Sequence, residues 1–179
     1  KIEASPRGIY YPVIPNDPEC WERINAVVPW YSPVFATVGT GIAEGGQWMP
    51  NAPYPVLVSL DNLDAKTSYS VVKAIQDHFD VFKDSAPGAP GWALENQKFH
   101  KVVPYHEGAI EYYKEMGVWP EEQDAIQEAA LARQDVLKKA WDSYVGDAPD
   151  DDEAFQKGWM KARAKALEDA GMPVIFYEW

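Results

Sequence analysis

The pair His106-Glu107 is the first candidate for chemistry, because a histidine followed by a glutamate opens a metalloprotease motif. That motif needs a second histidine four residues later, so that both imidazoles bind zinc from one helix face. Position 110 is isoleucine, so zinc binding is not expected. The structural alternative is that His106 satisfies backbone groups at the start of a helix predicted over residues 109–116, and we favour it.

An acidic loop over residues 146–152 offers carboxylates that could hold calcium. An EF-hand loop needs alternating oxygen ligands, a glycine at its sixth position and a distal glutamate. Counted from Asp147, the sixth position is Asp152, and no glutamate is spaced correctly. The sequence therefore favours a solvated loop that caps the next helix, and it predicts no bound metal.

The single cysteine, Cys20, excludes an intrachain disulfide and a thiolate zinc cluster. An acyl-transfer triad of Cys20 with one of the three histidines stays open, although no spacing supports it. A small buried hydrophobic side chain is the favoured role for Cys20. The sequence contains no GxSxG elbow, no phosphate loop with lysine and no CxxC pair. We therefore expect a protein that is not an enzyme and needs no cofactor.

A glycine-rich linker over residues 39–48 is a better candidate for ligand binding. It lies between two apolar runs that are candidate strands. In open α/β sheets, the loops at strand ends bind ligands. Aromatic walls with a few hydrogen-bond donors suit a small polar organic molecule, although such side chains are also common at interfaces. The predicted ligand contacts are Trp30, Tyr31, Thr40, Gln47 and Trp48.

Short strands and one helix are predicted to position this linker. The apolar runs 33–38 and 54–60 predict buried strands. Residues 9–14 predict an edge strand, because a proline interrupts them. Residues 18–28 predict a helix that begins after Asn16-Asp17 with a proline in its first turn and ends at the next proline.

The rest of the chain is predicted to be mainly helical. Apolar spacing predicts an amphipathic helix over about residues 65–83, with Asp61 or Asp64 as its cap. A short helix over 109–116 is closed by a glycine. Two longer helices, 120–145 and about 153–170, predict a hairpin across the acidic loop.

Residues 103–117, VPYHEGAIEYYKEMG, resemble the TAXI family, the periplasmic solute receptors of TRAP transporters. That family carries a proline-histidine-proline-glycine-alanine run followed by paired tyrosines and a glycine, after a glycine-threonine-tyrosine turn. The similarity covers about residues 5–117, and HxGAxxYYxxxG is its most specific part. Glu107 stands where the family usually has proline, and Gly41 stands where the turn usually has tyrosine.

The resemblance implies an α/β fold. Residues 1–117 would be the C-terminal part of a two-lobed periplasmic-binding-protein-like receptor, and residues 118–179 a helical C-terminal extension. Such a receptor closes its lobes over a small organic solute, often a carboxylate, and delivers it to TRAP membrane subunits. The chain begins at Lys1 rather than methionine, so the signal and the N-terminal part of the receptor are expected to be missing from it. The alternative is a protein-interaction or oligomerisation module without a transport role.

Composition limits the partners further. A chain of 179 residues with 46% hydrophobic residues can form a packed core. A formal net charge of −12 argues against nucleic acid, which needs a basic face. The resemblance implies a carboxylate ligand, which would need arginine or backbone donors. None of the four arginines, at positions 7, 23, 133 and 163, lies in the glycine linker. Much of a carboxylate clamp is therefore expected in the missing part of the receptor.

Overall fold

A computed structural model describes residues 6, 8–37, 39–42, 44–52, 56–86, 88–99 and 103–177. The chain divides into two compact units, Lys1–Val56 and Leu57–Trp179. The described residues form six α-helices and one two-stranded sheet: α1 Pro18–Val27, β1 Ser32–Ala36, β2 Gln47–Asn51, α2 Ala65–Asp77, α3 Phe79–Phe82, α4 Glu107–Glu115, α5 Glu122–Val145 and α6 Asp152–Asp169. This is a mixed fold with a helical C-terminus. Within the described part of the chain, no helix has the length and hydropathy needed to cross a bilayer.

Helix α1 follows the prediction from its N-terminal residues. The Asp17 carboxylate accepts a hydrogen bond from the backbone N–H of Cys20 at 2.9 Å, and Pro18 occupies the first turn. Such a cap satisfies a donor that has no partner within the helix. Trp21 is buried, and its indole N–H donates to the carbonyl of Pro15 at 3.1 Å.

The sheet only partly matches the predicted strands. Strand β1 lies within the predicted run 33–38, apart from Ser32, and position 38 is outside the described residues. The second prediction is wrong for residues 56–60, which form no strand, while residues 53–55 are not described. Strand β2 instead uses the end of the glycine linker and pairs antiparallel with β1. The last two residues of the linker, Gln47 and Trp48, already pair with β1, so the predicted run after the linker is not the partner strand.

The edge strand predicted over residues 9–14 is absent from the structure, which shows those residues without regular pairing. Pro12 has no backbone N–H to donate, so it removes one bond from any ladder. The segment is held in another way, because the hydroxyl of Tyr11 donates to the carbonyl of Thr40 at 3.1 Å. A side-chain contact therefore replaces the expected strand pairing.

The helix predicted over residues 65–83 forms as two helices. Asp64 is the cap of α2, where its carboxylate accepts from the backbone N–H of Thr67 at 2.9 Å. The helix ends at His78, whose backbone angles of φ −109° and ψ 13° leave the α-helical region. Nδ1 of His78 lies 2.9 Å from the carbonyl of Ala74, so the side chain also engages the end of α2. Helix α3 then starts as a separate turn.

The predicted C-terminal hairpin is confirmed. The loop before α6 caps it as expected, since the Asp151 carboxylate accepts from the backbone N–H of Ala154 at 2.9 Å. The rings of Trp141 on α5 and Trp159 on α6 pack edge to face, with centroids 5.0 Å apart. Leu167 on α6 is fully buried. Aromatic packing and apolar burial thus hold the two long helices together.

Candidate functional site

The glycine linker closes a β-hairpin whose close approach requires glycine. Gly46 has φ +82°, a conformation that side chains with a Cβ rarely adopt. A Cβ at this position would lie 2.7 Å from the carbonyl oxygen of Ala36. The chain therefore enters β2 directly against the end of β1, and Gln47 becomes the partner of Ala36 in the strand register.

Gln47 and Trp48 are adjacent in β2 and point to opposite faces of the hairpin, because side chains alternate along a strand. Trp48 packs against its cross-strand partner Phe35, with ring centroids 5.5 Å apart. Gln47 lies on the other face, opposite Ala36. Gln47 and Trp48, two of the five predicted ligand contacts, therefore do not line the same side of a binding site.

The amide nitrogen of Gln47 is the most unusual polar atom of this unit. Nε2 is buried and has no hydrogen-bond partner among the described residues. A buried amide donor without an acceptor costs free energy, roughly 1–3 kcal/mol. Such an atom requires an explanation, and a bound molecule that supplies the acceptor is one.

Trp30 and Tyr31 immediately precede β1 and are both half-buried. Their ring centroids are 6.2 Å apart. Asn25 on α1 fixes this corner, because its amide donates to the carbonyl of Tyr31 at 2.9 Å. The corner lies at the opposite end of the hairpin from Gln47, since the register pairs Ser32 with Asn51. The role of Asn25 was not predicted, although its place near a helix end before Pro29 was an available signal.

Thr40 occupies the exposed turn of the linker. Its backbone carbonyl accepts from the Tyr11 hydroxyl, which ties the turn to the N-terminal segment. The five predicted contact residues therefore form three groups in one unit: the corner pair, the turn residue, and the two strand residues on opposite faces. Tyr11 was also missed, because the edge-strand prediction gave its hydroxyl no partner.

His106 has the structural role that the sequence favoured. It is the cap residue of α4, and its Nδ1 accepts from the backbone N–H of Gly108 at 3.3 Å. Its Nε2 lies 2.8 Å from the carbonyl of Leu63. A neutral ring with its proton on Nε2 satisfies both contacts at once. This histidine therefore joins the start of α4 to the segment before α2.

Gly108 allows helices α2 and α4 to pack in close contact. A Cβ there would collide with the carbonyl of Ala65 and lie 2.8 Å from the backbone nitrogen of Tyr69. Ala109 and Tyr112 on the same helix are buried. The histidine, glycine, alanine and first tyrosine of the HxGAxxYYxxxG run are thus used in capping and packing.

The second tyrosine of the run belongs to a cluster of four edge-to-face rings. Tyr113 packs on Phe99 with centroids 5.1 Å apart, and Phe99 packs on Trp119 at 5.0 Å. Tyr105 completes the cluster at 5.4 Å from Trp119. Burial raises the pKa of the Tyr113 hydroxyl. The four rings pack against one another, which is expected for a core rather than for a surface that stacks against a ligand.

Metal and nucleophile chemistry has little support in the described part of the chain. No group of three or more histidine, cysteine, aspartate or glutamate side chains there is arranged to hold a metal ion. Cys20 is half-buried on α1 rather than fully buried as expected. His78 and His106 each engage a backbone carbonyl, and position 100 lies outside the described residues.

Comparison of the sequence with protein-family models identifies a family for this chain. The family model described as the NMT1-like family matches residues 7–117, which include the glycine hairpin and the His106–Gly108 turn. Comparison with curated proteins and with solved structures gave no significant match. Because the matched region is more than half of the sequence, the chain belongs to the NMT1-like family, a periplasmic-binding-protein-like family related to solute receptors.

Proposed function

We propose that this chain is part of a TAXI-type periplasmic receptor that binds a small organic solute and delivers it to TRAP membrane subunits. Membership of the NMT1-like family over residues 7–117 is the observation that carries the proposal, because it supports a solute-receptor role. The HxGAxxYYxxxG run of residues 106–117 supports the narrower TAXI assignment by resemblance.

The glycine hairpin is the part of the chain that we assign to the solute. The buried Nε2 of Gln47 needs an acceptor, and an oxygen of a polar solute would supply one. Thr40 presents a hydroxyl at the exposed turn. Solute contacts made only in the closed receptor would then favour closure.

A carboxylate solute would need a positive partner. Among the described residues of the first unit, Arg23 is the one arginine, and it is exposed on α1. We therefore propose that Gln47 and backbone donors orient the solute, while the charged clamp is supplied by the N-terminal part of the receptor. Arginine is suited to that task because its fork matches a carboxylate.

A binding screen tests the proposal. The purified chain is titrated with small organic acids, amino acids and neutral analogues in thermal-shift assays, and hits are measured by calorimetry. A true ligand raises the melting temperature, because it binds the folded state. Gln47→Ala should weaken binding, whereas Gln134→Ala, the same change at an exposed site on α5, should not. Micromolar binding of an organic acid by this chain alone would refute the proposal that the charged clamp lies in the N-terminal part of the receptor. Equal binding by Gln47→Ala and the unchanged chain would refute the assignment of Gln47.

A second candidate is an oligomerisation module, and α5 provides the observation that favours it. Leu131, Trp141 and Val145 are 45%, 38% and 44% exposed. At 100° per residue they lie within an arc of about 80° on one side of the helix. Sedimentation over a hundredfold concentration range distinguishes the outcomes. A dimer abolished by Leu131→Glu would support this candidate, and a monomer throughout would reject it.

A further inference from the structure

Two of the four arginines of the chain, one on each helix of the C-terminal hairpin, bind the same segment after α6. Arg133 on α5 and Arg163 on α6 are both half-buried. Nη1 of Arg133 donates to the carbonyl of Pro173 at 2.8 Å. Nη1 of Arg163 donates to the carbonyl of Phe176 at 2.8 Å. Both guanidinium groups therefore face the segment that follows α6.

The end of α6 fixes the position of that segment. Gly171 has φ +67°, and its N–H donates to the carbonyl of Glu168 at 2.9 Å. The N–H of Met172 donates to the carbonyl of Leu167 at 2.8 Å. Together these bonds form a Schellman turn, which reverses the chain direction. The two carbonyls that the arginines bind are thus presented by a defined turn.

Neither arginine pairs with a carboxylate in the part of the chain that the structure describes. This is unexpected in a sequence with 28 acidic and 16 basic residues. The ion pairs among described residues are all formed by lysines. Glu168, at the end of α6, is hydrogen-bonded to the hydroxyl of Tyr177.

The two positive charges also act on each other. Burial, and then the charge of Arg163, lower the pKa of the Arg133 guanidinium. Two like charges in a half-buried setting repel each other, and an anion between them would relieve that repulsion. A guanidinium has five N–H donors, and a single tail carbonyl uses one of them.

We propose that Arg133 and Arg163 together bind a doubly charged oxyanion, either a phosphate group or a dicarboxylate, on the tail side of the α5–α6 hairpin. The charge of such an anion matches two guanidinium groups, and its oxygens match their forked donors. All residues of this site belong to the second unit, whereas the glycine hairpin belongs to the first. Carbonyls of Pro173 and Phe176 hold the arginines in place for the anion.

Calorimetric titration with inorganic phosphate, sulfate and succinate tests the site, with chloride and acetate at matched ionic strength as controls. We expect saturable binding of a doubly charged anion. Arg163→Gln should weaken it about tenfold or more, as expected for loss of charge-assisted hydrogen bonds. Arg23→Gln makes the same charge change on α1 and should leave the affinity unchanged. The preferred anion distinguishes a phosphate site from a dicarboxylate site.

Three results would overturn the proposal: no saturable binding of phosphate, sulfate or succinate, an equal response to chloride, or wild-type affinity in a folded Arg163→Gln variant. If that variant fails to fold by circular dichroism, Arg163→Lys keeps the charge but not the fork and should still lose affinity. Gln47→Ala should leave phosphate binding unchanged. Failure of this site and failure of the solute-receptor proposal are therefore separate outcomes.

Discussion

The side chain of Gln127 on α5 pairs with the backbone of Tyr105 through two hydrogen bonds. Its Oε1 accepts from the N–H of Tyr105 at 2.8 Å, and its Nε2 donates to the carbonyl of Tyr105 at 2.8 Å. The side-chain amide of Gln127 thus bonds both backbone groups of Tyr105, as the backbone of a neighbouring strand would. It attaches the start of the long hairpin to the turn that carries His106.

Replacing Gln127 by alanine should destabilise the second unit. The change removes two part-buried hydrogen bonds to the backbone of Tyr105, and each typically contributes about 1 kcal/mol. We expect a loss of roughly 2 kcal/mol in urea unfolding. Glu128→Ala, at the next and exposed position of α5, is the matched control and should change little. Equal stability of the two variants would contradict this role.

Gly108→Ala should weaken the packing of α2 against α4. The added Cβ would meet the backbone of Ala65 and Tyr69, which cannot move aside as a flexible side chain can. Overpacking of this kind typically costs about 1–3 kcal/mol. Gly146→Ala is the control, since a Cβ there meets no atom within 4 Å. Thermal unfolding of both variants measures the difference, and a neutral Gly108→Ala would show that the helices separate easily.

His106 can be tested by two substitutions that separate its contacts. Asparagine can still cap α4, but it is too short to reach the carbonyl of Leu63, which lies 2.8 Å from Nε2. Alanine loses both contacts. We therefore expect His106→Asn to cost about 1 kcal/mol and His106→Ala about 2 kcal/mol in unfolding free energy. A larger loss for asparagine than for alanine would contradict the capping role.

Sequence patterns predicted the local features of this fold well, because the chemistry of each is contained in a few neighbouring residues. Asp17, Asp64 and Asp151 cap their helices through the N–H three residues later. Gly117, the glycine predicted to close the short helix over 109–116, follows α4 with a positive φ of +69°. The structural role of His106 was also accessible, since an incomplete zinc motif left capping as the alternative.

Strand pairing could not be predicted from neighbouring residues in the same way. The run ending at Leu60 has strand-like composition, yet Leu60 is 76% exposed and residues 56–60 form no strand. Strand β2 contains Pro50 and polar residues, and it forms because Gly46 brings it against Ala36. Pairing depends on contacts across the loop rather than on composition. Because strand β2 was not predicted, the sequence also did not indicate that Gln47 and Trp48 face opposite sides of the hairpin.

Acid should selectively remove the stabilisation contributed by Asp64. Hydrogen bonds from the Thr67 hydroxyl and backbone N–H hold the pKa of this carboxyl below its ordinary value of 3.8. A carboxyl whose pKa is lower in the folded state contributes stability above pH 3.8. That contribution is lost as the pH falls through the lowered folded-state value.

The stability difference between wild type and Asp64→Asn should therefore be largest near neutral pH and should shrink as the pH falls below 3.8. Asparagine can still accept from the backbone N–H, so the comparison isolates the charge. In a Thr67→Ala background, which lacks the hydroxyl donor, the pH dependence should be smaller. Urea unfolding across pH measures both, and a difference that does not change with pH would count against the lowered pKa.

The contact of Tyr144 on α5 with α6 depends on the absence of a side chain at Gly158. The hydroxyl of Tyr144 on α5 donates to the carbonyl of Phe155 at 2.6 Å. A Cβ at Gly158 on α6 would collide with that hydroxyl and lie 3.0 Å from the ring. Tyr144 can therefore reach Phe155 only because position 158 has no side chain.

A double-mutant cycle tests this dependence. Gly158→Ala alone should lose stability, because the collision outweighs the roughly 1 kcal/mol that alanine gains over glycine within a helix. Tyr144→Phe alone should lose about 1 kcal/mol through the missing hydrogen bond. In the double variant the collision with the hydroxyl is absent, so the combined loss should be smaller than the sum of the two. Additive losses would show that Tyr144 and Gly158 act independently.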